Sequence, residues 1–393
     1  MNGNDTHNVL ISVVDELRRD LIELSDRIGQ HPELGLQERK AATWHAEMLA
    51  NAGFAVEMPY GGLETAFRAE IEGSGPGPTL ALLVEYDALP DIGHACGHNL
   101  HGVMSTGAAL ALARARDSWS GKLVVMGTPA EEGAVDGAGG KVVLVQAGAF
   151  ADIDAAIMVH ASSRNILGMP SLAREAFEIT FRGKPAHAAA IPHEGINALD
   201  AAIQMFNASN ALRQHLTSDV RIHGIITKGG VSPNIVPEYA EIRMYARAAD
   251  KEYLKTVVAK LRNCADAAAL ATGATMAWRN TAYAYDNMIA NEPLLNAFGD
   301  SISELGAPIH DSPQRGSGST DMGNVSQAVP AIHPYISICD QPIPGHSREF
   351  AAATMTPRGH EGLILGTKAI ALTSYKVLSQ PELLAKIKGA FAG

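Results

Sequence analysis

Three short, unbroken apolar runs constrain this chain more than any other feature. They are Thr79-Leu80-Ala81-Leu82-Leu83-Val84, Leu123-Val124-Val125-Met126 and Ala155-Ala156-Ile157-Met158-Val159. Runs this short, without polar alternation, read as strands buried on both faces, and such strands belong to parallel sheets covered by helices. Leu10, Val13, Val14, Leu17, Leu21, Leu24 and Ile28 fall at helical spacing and predict an amphipathic first helix. A helix rich in small residues is expected from about Thr106 to Arg116. Buried strands alternating with helices predict an α/β domain with a largely parallel sheet and flanking helices.

Near Arg174 the pattern changes. Ala176 to Phe181 alternates as a half-buried strand, a helix follows from about Ala198 to His215, and strands are expected at Arg221–Thr227 and Ala240–Ala246. A helix from about Lys251 to Leu270 and a strand at Ala274–Trp278 complete the order β-α-β-β-α-β. That is the ferredoxin-like arrangement, an α+β unit with helices on one face of its sheet. After about Asn287 helix-forming segments resume, and Ala331 to Ile338 reads as one more strand. The predicted plan is a catalytic α/β domain over 1–172 and 286–393, interrupted by a smaller lid over 173–285. Two domains also suit the length of 393 residues.

Composition excludes several roles. A net charge of −11 argues against nucleic acid, whose binding needs clustered Lys and Arg. No apolar run reaches the roughly 18–20 residues of a membrane helix. The start, Met1-Asn2-Gly3-Asn4-Asp5, lacks the basic and apolar stretches of a secretion signal. Cys96, Cys264 and Cys339 are odd in number and far apart, which predicts no disulfide framework and a reducing cytoplasm.

The chemistry-bearing residues follow the strand ends, where ligands collect in open α/β sheets. Glu85-Tyr86-Asp87 follows the first run, Cys96-Gly97-His98 precedes the Thr106 helix, Glu131-Glu132 follows the second run, and His160 ends the third. Thiolate and imidazole suit zinc and similar ions, while adjacent carboxylates allow one to bind metal and the other to move protons. The set points to metal-assisted hydrolysis of an amide bond. Cys264 and Cys339 read as small buried hydrophobes. His31, His45, His215, His223, His310 and His360 read as structural or surface residues, and His94 and His101 stay unassigned. Asp321 either lines a pocket or caps the next segment. Gly133 to Gly140 lacks the spacing of a phosphate loop, and no Gly-x-Ser-x-Gly elbow is present.

From His31-Pro32-Glu33-Leu34-Gly35 through His346 the chain resembles the di-metal amidohydrolases. That group includes hippurate, auxin-conjugate and aminobenzoyl-glutamate hydrolases and, more distantly, carboxypeptidase G and aminoacylase. The most specific matches are Glu85 to His98, Gly127-Thr128-Pro129-Ala130-Glu131-Glu132-Gly133 and Gly183-Lys184-Pro185-Ala186-His187-Ala188-Ala189. The resemblance implies two divalent ions per subunit (zinc, manganese or cobalt) on Cys96, His98, Glu132, His160 and His346. It implies Glu131 as general base and Asp87 as the carboxylate that orients a ligand. It further implies that His187 reaches across a lid-mediated homodimer to stabilise the oxyanion, and that Asn234 and Arg247 hold the substrate carboxylate. Asn99, Glu85 and Gly318-Ser319-Thr320-Asp321 depart from the pattern of many relatives.

The expected activity is hydrolysis of an N-acyl amino acid or dipeptide, with no nucleic-acid or membrane partner. Two other readings compete. The same site could deaminate an aromatic amine or hydrolyse a carbamoyl group, since fold alone does not choose the reaction. A non-catalytic binding protein is the third.

Overall fold

The computed structural model describes residues 3–313 and 318–392. It divides into two compact units, Met1–Pro170 with Met288–Gly316 and Asp321–Gly393, and Ser171–Asn287 with Ser317–Thr320.

In the first unit the three apolar runs lie side by side within one sheet. Its strand order is Ala55–Glu57, Phe67–Glu72, Lys122–Gly127, Thr79–Val84, Ala155–Ile157, Ala331–Ile332. The last four pair in parallel, and the first two join antiparallel at one edge. The Thr79–Val84 strand shows why no polar residue interrupts it. Leu80, Leu82 and Val84 pack with Leu21 of helix Gly3–Gln30, Val103 of helix His98–Arg114 and Ile370 of helix Pro357–Ser379. Ala81 and Leu83 enter a second core with Leu144 of helix Gly140–Gln146 and Val325 of helix Met322–Ala328. Each fully buried Leu or Val contributes about 1.5–3 kcal/mol, so both faces of the strand demand apolar side chains.

Two local features differ from the sequence reading. The helix expected at Thr106 begins at His98, because Gly97 adopts a left-handed φ of 92° and turns the chain into it. Its first turns are hidden from periodicity analysis, since polar His98, Asn99 and His101 are buried there together with the apolar residues. The run expected at Ala331–Ile338 is split by Pro334. Ala331–Ile332 ends the main sheet, while Tyr335–Ser337 pairs in parallel with His160–Ser162 in a separate ribbon. His160 therefore starts a new strand instead of ending the Ala155 strand, and its N–H donates to the Pro334 carbonyl at 2.8 Å.

The second unit is an antiparallel sheet in the order Thr275–Asn280, Ala173–Arg182, Tyr239–Ala248, Arg221–Lys228. Helices Ala198–Leu212 and Lys251–Thr272 bury Ala201, Met205, Val257 and Leu261 against Phe177, Ile179, Phe181 and Ile242. Both helices start on a side-chain cap: Asn197 accepts from the N–H groups of Leu199 and Asp200, and Asp250 from that of Tyr253.

Candidate metal centre

The centre is assembled at the ends of the parallel strands. Asp87, just beyond Val84, is buried and pins two other elements. His98 Nδ1–H donates to it, with 2.9 Å to both its carbonyl oxygen and Oδ1. The Glu132 N–H donates to Asp87 Oδ2 at 2.9 Å. With Nδ1 engaged, His98 Nε2 faces the site, and that buried atom has no hydrogen-bond partner among the described residues; a bound cation would take the place of any proton there. Burial alone would push the His98 pKa down, but Asp87 and Glu85 outweigh it and raise it well above the ordinary value.

Cys96 stands two residues before His98, across the Gly97 turn. Its Sγ lies 3.3 Å from His160 Nε2, and His160 Nδ1–H donates to the Ala161 carbonyl at 2.5 Å. His346 has a left-handed φ of 59° and is tied down by its backbone N–H, which donates to the Ala95 carbonyl at 2.9 Å. Its Nε2 comes within 3.4 Å of Glu132 Oε1. Among the groups of candidate ligand atoms that result are Cys96–His98–His160 and Cys96–Glu132–His346, each with its atoms within 4.8 Å of one another. Cys96 belongs to both. Glu132 Oε1, like His98 Nε2, is buried without a hydrogen-bond partner among the described residues. Orphaned polar atoms beside a thiol, in a mixed sulfur, nitrogen and oxygen set, fit divalent cations, which Cys96, His98, Glu132, His160 and His346 would hold. Burial, followed by the Glu132 carboxylate, pushes the Cys96 thiol well up, and a bound cation would favour its thiolate.

Glu131 sits beside these groups, with Oε2 3.9 Å from His98 Nε2. Burial, then the neighbouring carboxylates of Glu85, Glu132 and Asp321, raise its pKa well above the usual carboxylate range.

Behind the ligands lies a buried charged network that the sequence reading did not assemble. Lys141 Nζ lies 2.5 Å from Glu85 Oε1 and 2.7 Å from Asp321 Oδ1, and the Lys141 N–H donates to Asp321 Oδ2 at 3.0 Å. Burial works against the ammonium, but Asp321 and Glu85 outweigh it and hold its pKa above the ordinary value. Glu85 also accepts from His101 Nδ1 at 3.2 Å, while His101 Nε2 accepts the Ala161 N–H at 2.8 Å. One available signal was a lone lysine opening the apolar segment Gly140-Lys141-Val142-Val143-Leu144-Val145. The glycines before it meet a steric need: a Cβ on Gly140 would stand 2.0 Å from the Pro129 carbonyl oxygen.

The structure thus brings Asp87, Cys96, His98, Glu131, Glu132, His160 and His346 together in the first unit. His187, Asn234 and Arg247 belong to the second. There His187 Nδ1 accepts from the N–H groups of Ala189 (3.3 Å) and Ala190 (3.2 Å), which leaves its exposed Nε2–H as a donor. The Asn234 carbonyl accepts the Ala188 N–H at 3.0 Å, tying those two loops together. Arg247 Nη1 donates to Ser319 Oγ at 3.2 Å.

Comparison with known proteins adds four findings. A family model described as peptidase family M20/M25/M40 matches residues 81–357. The chain is 40% identical to an Xaa-Arg dipeptidase of Mus musculus, over 96% of this chain and 90% of that one. It is 32% identical to a p-aminobenzoyl-glutamate hydrolase component of Escherichia coli, over 78% of this chain and 67% of the other. Among solved structures, a dinuclear metal-binding peptidase of Bacillus subtilis superposes with a TM-score of 0.68 at 22% identity, over 93% of this chain and 99% of that one.

Proposed function

This chain belongs to peptidase family M20/M25/M40 and is a metal-dependent hydrolase of amide bonds; we propose that its substrate is a dipeptide or an N-acyl amino acid, cleaved with Glu131 as general base. The observation that carries this reading is the pair of ligand groups sharing Cys96, with the Glu131 carboxylate beside them. Two divalent ions held by Cys96, His98, Glu132, His160 and His346 would lower the pKa of a water from about 15.7 towards ~7 and polarise the scissile carbonyl. Zinc, manganese and cobalt all suit this donor set.

Glu131 takes the proton of the attacking water and returns it to the amine that leaves. Asp87 keeps His98 in one tautomer, with Nδ1 as donor and Nε2 facing the site. Asn234 and the Arg247 fork receive the substrate carboxylate, for which a guanidinium offers two parallel hydrogen bonds. His187, through Nε2–H, donates to the oxyanion of a partner subunit. A homodimer is supported by the second unit's edge strand Arg221–Lys228, where Ile225 and Ile226 are exposed. Cysteines that are all free are consistent with a cytoplasmic protein. Among the described residues no helix is long and apolar enough to cross a membrane.

The test is mass-spectrometric product analysis of metal-supplemented protein against alanyl-arginine, other dipeptides, N-acyl amino acids and folate-like conjugates. A free amino acid should be released by the wild type. Glu131→Gln should retain its metal and lose about 10²–10⁴-fold in kcat. Ammonia or carbon dioxide as product would move the assignment to deamination or carbamoyl hydrolysis, and near-normal turnover by Glu131→Gln would remove Glu131 from the mechanism.

A further inference from the structure

The segment His31-Pro32-Glu33-Leu34-Gly35-Leu36-Gln37-Glu38 contributes no metal ligand and no proton carrier, yet it is built against the site. The Glu33 carboxylate accepts from the N–H groups of Lys40 and Ala41, and its carbonyl accepts the Ala88 N–H at 2.8 Å, next to Asp87. Leu36 takes a left-handed φ of 65°, and the chain returns inward to Glu38, which has no exposed surface.

Both oxygens of Glu38 are used. Oε1 accepts the Ala130 N–H at 2.8 Å, and Oε2 accepts from Thr65 Oγ1 at 2.9 Å. Ala130 immediately precedes Glu131 and has a left-handed φ of 57°, a conformation an alanine does not hold by preference. Gly35 packs on the same alanine: a Cβ there would lie 2.9 Å from Ala130 Cβ and 3.0 Å from Ala130 Cα. The Ala130 carbonyl accepts the Gly139 N–H at 2.8 Å, and two residues on the Glu132 N–H reaches Asp87. The peptide carrying Glu131 and Glu132 is therefore fixed at both ends by buried carboxylates, Glu38 before it and Asp87 after it.

We infer that Glu38 is a positioning residue, holding Ala130 in its left-handed turn so that Glu131 and Glu132 are aimed at the site. This rests on the roles given above to those two glutamates. Glu38 bonds the backbone of the turn at Ala130 and the Thr65 hydroxyl, and none of the proposed metal ligands. A displacement of about 1 Å at such a position costs up to ~10²-fold in rate.

The experiment compares Glu38→Leu, which keeps bulk but removes the acceptor, with Glu38→Gln, which keeps an acceptor oxygen for the Ala130 N–H. Three quantities are read: hydrogen exchange at the Glu132 amide, which bonds Asp87 and not Glu38; zinc affinity by chelator competition; and kcat and KM on alanyl-arginine beside Glu131→Gln. Glu38→Leu should speed exchange at Glu132, weaken zinc about tenfold or more, and lower kcat about 10–100-fold with KM moved less than about threefold. Glu38→Gln should recover most of each loss. Unchanged exchange and zinc affinity in folded Glu38→Leu would overturn the inference whatever the activity shows. Normal turnover by Glu131→Gln would instead sink the base assignment, and the exchange and zinc readings would still judge Glu38. If Glu38→Leu does not fold, Gly35→Ala carries the same test by pressing on Ala130 from the other side.

Discussion

Lys141 has no exposed surface, so its ammonium exists only by virtue of the carboxylates around it. Lys141→Met would take from Glu85 and Asp321 the buried ammonium they share and should cost about 3–5 kcal/mol in urea unfolding. Adding Glu85→Gln and Asp321→Asn should return part of that loss, because no charge would then remain to be compensated. Glu38 supplies a pH-dependent term. Burial, then Asp87, raises its pKa from 4.5 to about 7. A raised folded-state pKa means that the associated stability is complete below pH ~4.5 and is lost as pH climbs through ~7. Metal-free wild type should therefore lose about 2–3 kcal/mol between pH 5 and 8 that Glu38→Gln does not lose, as urea titrations at each pH would show. At this scale the meeting of Cys96, His98, Glu131 and Glu132 was legible because they lie in two compact motifs at strand ends. The Lys141 network was not, since Lys141 lies 56 residues from Glu85 and 180 from Asp321, and no local pattern records such a meeting.

At the scale of elements, Gly97 decides how the ligands are presented. Its φ of 92° allows Cys96 to precede a helix that His98 begins, and a Cβ there would lie 2.8 Å from Ala161 Cβ. Gly97→Ala should therefore weaken zinc at least about tenfold in chelator competition, with a stability loss of about 1–3 kcal/mol. Zinc affinity equal to wild type would mean that the turn does not set the ligand geometry. The buried strands were readable because burial on both faces removes polar residues altogether, as Leu80 to Val84 show. The start of the His98 helix was not, because buried His98, Asn99 and His101 break the apolar period. The split of Ala331–Ile338 was equally hidden, although Pro334 marks where the backbone leaves one sheet for the next.

For the whole molecule, the two units hold different parts of the proposed chemistry. The metal ligands and Glu131 lie in the first, whereas His187, Asn234 and Arg247 lie in the second. The β-α-β-β-α-β order of the second unit was readable because its polar and apolar residues alternate along half-buried strands such as Tyr239–Ala248. What the order does not say is which subunit's centre His187 serves. A homodimer that exchanges His187 makes a distinctive forecast. His187→Ala and Glu131→Gln should each be nearly inactive alone, because every site in either dimer lacks one of the two groups. Co-expressed, they form mixed dimers in which one site of two has an intact Glu131 from one subunit and an intact His187 from the other. Random pairing makes about half of the dimers mixed, so activity should recover to about a quarter of wild type. If His187 served its own subunit, every site in the mixture would still lack one group and nothing would return. Measuring kcat per subunit on the purified mixture, with sedimentation to establish the dimer, separates the two arrangements.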